Sequence, residues 1–346
     1  MMRRLKIGVF VALAVVASPA AFAGSEPGGH AVAVVYHRFG EDAYPATNTT
    51  LAQLDAHIAY LKDGRFNVWP LRRIVDALQT GEPIPDRTVA ITIDDAYASV
   101  AAHALPRLKA AGLTATVFVS TKPIDEGARG FMSWDDIRKA VADGFDIGGH
   151  SVSHSHMVEL TAEEVKRELA DSNARYQAEL GFQPPLFAYP YGEASAPVRA
   201  AVIAAGYRAA FGQHSGAMHA TEDRYYLPRF ALNEKYGAMA RFRILASAKS
   251  MEARDVTPRD MTLGAESNPP AFGFTVGRAV GDLSALACYD SRGSKLRLQR
   301  LGGRRIEARL PSRLAPGRHR INCTAPAGGG RWRWFGRQFY VPRAAG

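Results

Sequence analysis

The chain has 346 residues, 47% of them hydrophobic and 22% charged, with a formal net charge of +10. That is apolar content enough to bury a core and a length comfortable for two domains, and no internal repeats or low-complexity tracts are present. The charge is unevenly placed: from Gly264 onward 15 Lys/Arg stand against 4 Asp/Glu, whereas the remainder carries 28 against 29. Fourteen of those 15 C-terminal bases are arginine, which predicts a separate module facing something anionic.

The first residues read as a cleavable export signal. Arg3, Arg4 and Lys6 precede an apolar stretch at 7–16, and Ala21-Phe22-Ala23 supplies the small-residue box before Gly24. The apolar run falls short of the ~20 residues that a membrane span needs, so the mature chain is expected to have no transmembrane segment. The expected location is periplasmic or secreted. An exported protein seldom meets nucleic acid, so no nucleic acid partner is expected, and an anionic cell-envelope polymer is the expected partner of the basic module.

From Ala31 onward short β-type runs alternate with helical patterns. "AVAVVYH" (31–37) reads as a buried strand, and 51–63 places Leu51, Leu54, Ile58 and Leu61 at helical spacing. A short run at 66–71, a helix near 71–80 and the strand "TVAITIDD" (88–95) follow. A helix at 99–111 leads to 114–121, a helix at 133–144 to 145–150, and a long helix at 161–180 to 185–192. A helix at 197–205 precedes 207–212, and 226–233 closes the series. Strands apolar on both faces with intervening helices predict an α/β fold, a distorted (β/α)7-type barrel with its reactive residues at the C-terminal strand ends.

After Met261 the runs become short and alternating, separated by Gly, Pro, Ser and Asn, as in a small antiparallel β-sandwich. The expected division is a leader at 1–23, a barrel at 24–260 and an Arg-rich sandwich at 261–346. The two cysteines, Cys288 and Cys323, flank one β-rich stretch of an exported chain and predict a disulfide. The aromatics of "WRWFGRQFYV" (332–341) are expected to fill a sandwich core or a domain interface, with sugar binding as the alternative.

Several strand ends carry chemistry. Asp94-Asp95 follow an apolar strand, and "GGHSVSH" (148–154) puts His150 and His154 four apart just past another, a usual spacing for a first-row divalent metal. Two histidines and a carboxylate leave coordination positions open, as metal-assisted hydrolysis requires. His156 is out of phase with that pair and reads as structural or supporting. "FAYPYGE" (187–193) is a third strand end, with an aromatic-proline turn that could wall a pocket. Phe131 and Trp134 read as packing residues, with a sugar platform as the alternative.

"TIDDAY" (92–97), "HSVSH" (150–154) and "AYPYG" (188–192), in this order, resemble three motifs of the polysaccharide deacetylases, the family 4 carbohydrate esterases. The resemblance covers roughly residues 85–230. The upstream "VVYHRFG" (34–40) and the stretch at 57–71 look like the N-terminal extension of bacterial poly-N-acetylglucosamine deacetylases. The resemblance implies that Asp95, His150 and His154 bind a divalent metal, usually Zn2+ with Co2+ or Ni2+ possible in its place. It also implies that Asp94 is the general base, that the Tyr191 N–H stabilises the oxyanion, and that Tyr189, Pro190 and Tyr191 line the acetyl pocket. The expected substrate is an acetylated polysaccharide, with N-acetyl groups of amino-sugar polymers leading. An O-acetyl esterase with the same site and a catalytically dead glycan-binding scaffold are the alternatives.

The sequence departs from the family pattern in three places. Ala96 stands where glycine is usual. Ala188 occupies the place of an arginine that orients the base, for which Arg229 is the candidate substitute. The late leucine-x-histidine motif that supplies the general acid has no clean match, leaving His214 as the candidate acid and His37 as a further contender or a substrate contact.

Overall fold

The computed structural model describes residues 29–343, so the leader expected at 1–23 lies outside the described residues. The strand His30–Tyr36 is buried along its whole length and pairs in parallel with Thr88–Ile93. Parallel pairing then continues through Thr116–Val119, Asp146–Gly149, Leu186–Ala188 and Ala209–Phe211. The segment beyond them closes the curl: Leu227 bridges Phe211, and Phe230 pairs in parallel with Val34. The sheet therefore rolls into a half-barrel. One strand was not expected, Ala217–His219, which runs antiparallel to the first strand.

Strand alternation sorts the core into two faces. Val32, Val34, Val89, Ile91, Ile93, Val117 and Val119 pack outward against helices, whereas Ala31, Ala33, Ala90, Phe118, Ala188 and Phe211 pack together on the inner face. Ala90, Thr92 and Asp94 alternate along one strand, so Asp94 also falls on the inner side. The covering helices are defined by local capping. Thr50 with Gln53, Ser133 with Asp136 and Thr161 with Glu164 form reciprocal boxes ahead of Leu51–Lys62, Trp134–Ala142 and Ala162–Leu180. The helix expected at 99–111 opens instead as a π-helical turn, Val100–Ala104, before Leu105–Ala110. Among the described residues no helix is long and apolar enough to cross a membrane.

Two four-stranded sheets follow. One joins Lys249–Ser250, Trp332–Val341, Gly317–Pro326 and Ala287–Tyr289; the other joins Arg254–Thr257, Phe272–Thr275, Arg305–Arg309 and Arg297–Leu301. The pairings are antiparallel except that of Lys249–Ser250 with Trp332–Val341. These sheets begin before 261, because Met251 and Ala253 bury their side chains in the sandwich core and not in the barrel. Cys288 and Cys323 are directly opposed across one strand pair and form a disulfide.

The strand Trp332–Val341 has two working faces. Phe335 and Phe339 pack into the sandwich core against Phe272. Their alternates meet the barrel: Trp334 stands edge-on to Phe230 at 5.1 Å, Gln338 donates to the Tyr191 carbonyl at 3.1 Å, and Tyr340 donates to Glu159. Gly336 lies so close that a Cβ there would sit 2.2 Å from the Ser215 carbonyl oxygen. Farther out, Arg331 grips both carboxylate oxygens of Asp86 at 2.7 and 2.8 Å.

Candidate active site

Asp94 and Asp95 end their strand and diverge. Asp95 has φ 73° and Ala96 φ 54°, a left-handed turn that swings Asp95 outward while Asp94 stays inside. Glycine would enter this turn freely, and a side chain there costs roughly 1–2 kcal/mol. Ala96 thus explains both the family's preference and why the smallest side chain is tolerated in its place.

His150 and His154 converge on Asp95. Their Nε2 atoms lie 3.3 and 3.1 Å from the same Asp95 oxygen, Oδ1, and one ligand atom from each of the three residues falls within 4.8 Å of the others. The histidines are brought together by a tight loop and not by a helical turn: Ser151 and His154 have φ 65° and 57°. Glu168, from the helix Ala162–Leu180, pins that loop by accepting the N–H groups of Val152 and Ser153, both at 2.9 Å.

The donor set fits a cation. His150 Nδ1 lies 2.7 Å from the Ala188 carbonyl, which can only accept, so the ring proton sits there and the neutral imidazole turns its Nε2 lone pair toward Asp95. Two acceptors then face each other in a buried place, and both Asp95 Oδ1 and His150 Nε2 lack a hydrogen-bond partner there. A divalent ion satisfies all of them at once. If those two rings instead carry their protons toward Asp95, their donation outweighs the effect of burial and holds its carboxyl well below the usual range.

Asp94 is fully buried and held from the other side. Arg229 donates from Nη1 to Oδ1 at 2.7 Å and from Nη2 to Oδ2 at 2.8 Å. Two further donors are used as well, Nε on the Gly212 carbonyl at 2.9 Å and Nη1 on Thr92 Oγ1 at 3.2 Å. Gln213 Nε2 approaches Oδ2 at 3.4 Å. Burial pushes the Asp94 carboxyl up, but Arg229 and His150 prevail and lower it. The pair is buried on both sides, where each ion costs several kcal/mol to desolvate, and the bidentate geometry is what offsets that cost.

Polysaccharide deacetylase sequences match residues 81–210 as a family. The chain carries a polysaccharide deacetylase domain.

Two Bacillus subtilis (strain 168) proteins are similar, both bearing provisional deacetylase names. YxkH is 25% identical over 177 residues and YheN 27% over 120. The matches take in 51% and 34% of this chain but only 63% and 40% of theirs. Among solved structures, the deacetylase PplD of Streptococcus pyogenes superposes with a TM-score of 0.57 at 18% identity, covering 62% of this chain and 99% of that one. IcaB of Ammonifex degensii does so with 0.56 at 20%, covering 63% and 97%. Both likenesses establish the fold of the deacetylase domain.

Around the Asp-His-His set, Tyr191 has φ 58° and stands edge-on to His154 at 4.5 Å, with His156 stacked on its other side at 4.1 Å. His156 is in turn held by Glu193 at 2.7 Å. Tyr189 was expected in the acetyl pocket and is not there. It is fully buried, its hydroxyl donating to the Tyr225 carbonyl at 2.8 Å, whereas the left-handed turn at Tyr191, past the end of the strand, aims that ring out toward His154 and His156. Pro190 is buried beneath the same turn.

The two candidate acids differ. His37, half-buried at the end of the first strand, has its pKa lowered by burial, with the nearby Asp95 and Asp94 carboxylates opposing but not reversing that shift. His214 lies flat on Tyr226 at 4.3 Å, and burial together with Arg337, Arg320 and Arg229 holds its pKa far below the ordinary value. It carries no proton near neutrality and is poorly placed to give one.

Sequence reasoning assigned no role to Tyr97, Glu168 or Gln213. Burial and the adjacent Asp95 carboxylate raise the Tyr97 phenol, against the opposing effect of Arg38, whose guanidinium covers the Tyr97 ring at 3.4 Å. Its signal was its place two residues after Asp95. Glu168 and Gln213 left none, since their partners are distant in sequence. Trp134 donates to Asp125 at 2.8 Å and packs on Tyr176, a structural part.

Proposed function

We propose that the protein is an exported, metal-dependent deacetylase that removes N-acetyl groups from amino-sugar polymers. The observation that carries this reading is a base clamped by arginine directly beside an Asp-His-His set with unsatisfied acceptor atoms. Export is supported by the basic-then-apolar start of the chain and by the Cys288–Cys323 disulfide.

Asp95, His150 and His154 would hold the metal, with zinc the leading candidate. When bound, such an ion lowers the pKa of water to near neutrality and polarises the acetyl carbonyl. Asp94 takes the proton from the attacking water as its oxygen bonds to the acetyl carbon, and Arg229 fixes the carboxylate's direction. The carbonyl π pair moves onto oxygen, where the Tyr191 N–H donates to the resulting oxyanion. As that oxyanion collapses, the C–N bond breaks, the nitrogen receives a proton from His37, and acetate and a free amine are left. The Tyr191 ring, held between His154 and His156, walls the site.

The test is acetate release from N-acetylglucosamine oligomers by the purified protein, with added zinc or cobalt and beside Asp94→Asn. Metal-dependent release lost in the variant is expected. Release only from O-acetylated xylan would make the protein an ester hydrolase. Stoichiometric metal with no release from either substrate would make it a glycan-binding scaffold.

A further inference from the structure

Beyond Gln213, which stands against Asp94, lies a cavity of about 480 Å3 between barrel and sandwich. Gln213 belongs to both places: its side-chain amide reaches Asp94 and its body lines the cavity. The barrel contributes Tyr236 and Arg241, and the sandwich contributes Arg318, Arg320 and Trp334.

The charges in this cavity do not cancel. Arg320 is half-buried, and its side chain donates to Gln338 Oε1 at 2.8 Å. Arg241 donates from Nη1 to the carbonyls of Ala231 and Tyr236 at 3.2 and 2.7 Å. Among the described residues, neither has a carboxylate within ion-pair distance. Arg318 is 3.4 Å from Glu193, whose other oxygen is already taken by His156. The acid in the wall, Asp290, spends its carboxylate on its own turn, accepting the N–H groups of Arg292 and Ser294 at 2.9 and 2.8 Å.

Arg318 and Arg320 stand two apart on the face of Gly317–Pro326 that looks toward the barrel, next to strand partners Tyr340 and Gln338. Like charges so placed repel, and burial and Arg318 together weaken the hold of Arg320 on its proton. Trp334, Gly336, Gln338 and Tyr340 carry the main contact of sandwich on barrel, to which Arg318 adds its ion pair with Glu193 and Arg320 its hold on Gln338. Guanidinium groups that repel one another in a partly enclosed cavity, with Trp334 and Tyr236 beside them, suit an anionic group carried on a sugar.

We infer that this cavity is a subsite for an anionic substituent, a carboxylate or a phosphate ester, on a sugar flanking the one deacetylated. The substrate polymer is then acidic, and the C-terminal sandwich selects it. This rests on the deacetylase reading, but the subsite can be read without turnover.

The protein is titrated by calorimetry with galacturonate oligomers, which carry carboxylates and no acetyl group to lose, and with neutral cellulose oligomers of equal length. The acidic oligomers should bind at least tenfold tighter at low salt, with the advantage shrinking as salt rises. Arg320→Gln and the more exposed Arg318→Gln should each reduce that advantage at least fivefold, and Arg320→Lys should retain part of it. Competition by inorganic phosphate stronger than by glucuronate would make the bound group a phosphate ester, and the reverse a carboxylate. Equal affinity for acidic and neutral oligomers, or an advantage unchanged by both Gln variants, overturns the subsite. Failure of acetate release from every acetylated oligomer, with acidic binding intact, overturns the deacetylase reading instead.

Discussion

Arg229 and Asp94, 135 residues apart in sequence, meet as a two-pronged buried pair inside the barrel mouth. The arginine comes from the segment that closes the sheet, not from the Ala188 strand end where the family places one. Under the proposed function, Arg229 takes from a different element the task that the resemblance assigns to the missing arginine. Arg229→Lys keeps the charge but loses the fork, and kcat should fall about 10- to 100-fold, the usual cost of removing such a supporting partner, with metal content unchanged. Arg229→Met leaves Asp94 buried and unpaired, which should cost about 3–5 kcal/mol in denaturant unfolding.

The protein should bind one divalent ion per chain, measured by elemental analysis after dialysis. His150→Ala and Asp95→Asn should each abolish that stoichiometry. Chelation should lower Tm, because an ion that binds only the folded centre stabilises it by mass action. Tm values equal with and without chelator would dismiss the Asp-His-His set as a metal site.

His37 and His214 can be separated kinetically. His37→Ala should lower kcat on the order of 100-fold and remove the alkaline limb of the pH–rate profile, as loss of a proton donor does. His214→Ala should lower Tm through lost packing on Tyr226 and leave the profile's shape intact. A reversal of these two phenotypes would return the acid role to His214.

Glu222 provides a pH signature away from the centre. Burial raises its pKa to about 7, despite the opposing pull of Arg337. A carboxyl raised on folding keeps its proton in the native state while the unfolded chain loses it. The folded form therefore binds more protons between the ordinary glutamate pKa and neutrality, and stability must fall as pH rises through that window. Below it both states are protonated, and above it the loss is complete. Tm of the wild type should decline from about pH 4.5 to about 7 relative to Glu222→Gln, and parallel curves would refute the assignment.

The parallel sheet and the meeting of Asp95 with His150 and His154 were legible because the signals are local: apolar strands ending in charged residues, and two histidines in one short loop. The role of Arg229 could only be suspected, since nothing near it in sequence reports that Asp94 is its neighbour. The early start of the sandwich was hidden because Lys249–Ser250 and Arg254–Thr257 are too short to display a period. Strand alternation would have grouped Tyr189 with Tyr191, and the left-handed turn at Tyr191 that separates them leaves no mark in the sequence. In "WRWFGRQFYV" the two packing readings both hold, one for Phe335 and Phe339 and the other for Trp334 and Tyr340.

The dependence of the Tyr191 turn on Gln338 and Tyr340 also sets an order of events in time. Every motif residue of the centre is synthesised well before the strand that steadies it. A nascent or truncated chain can own the whole Asp-His-His set and still have an unbraced wall beside it. The bracing of that wall therefore awaits residues 332–341, through contacts far apart in the chain, which form slowly. Under the proposed function, a chain cut short of this strand would carry the Asp-His-His set beside a wall that nothing steadies.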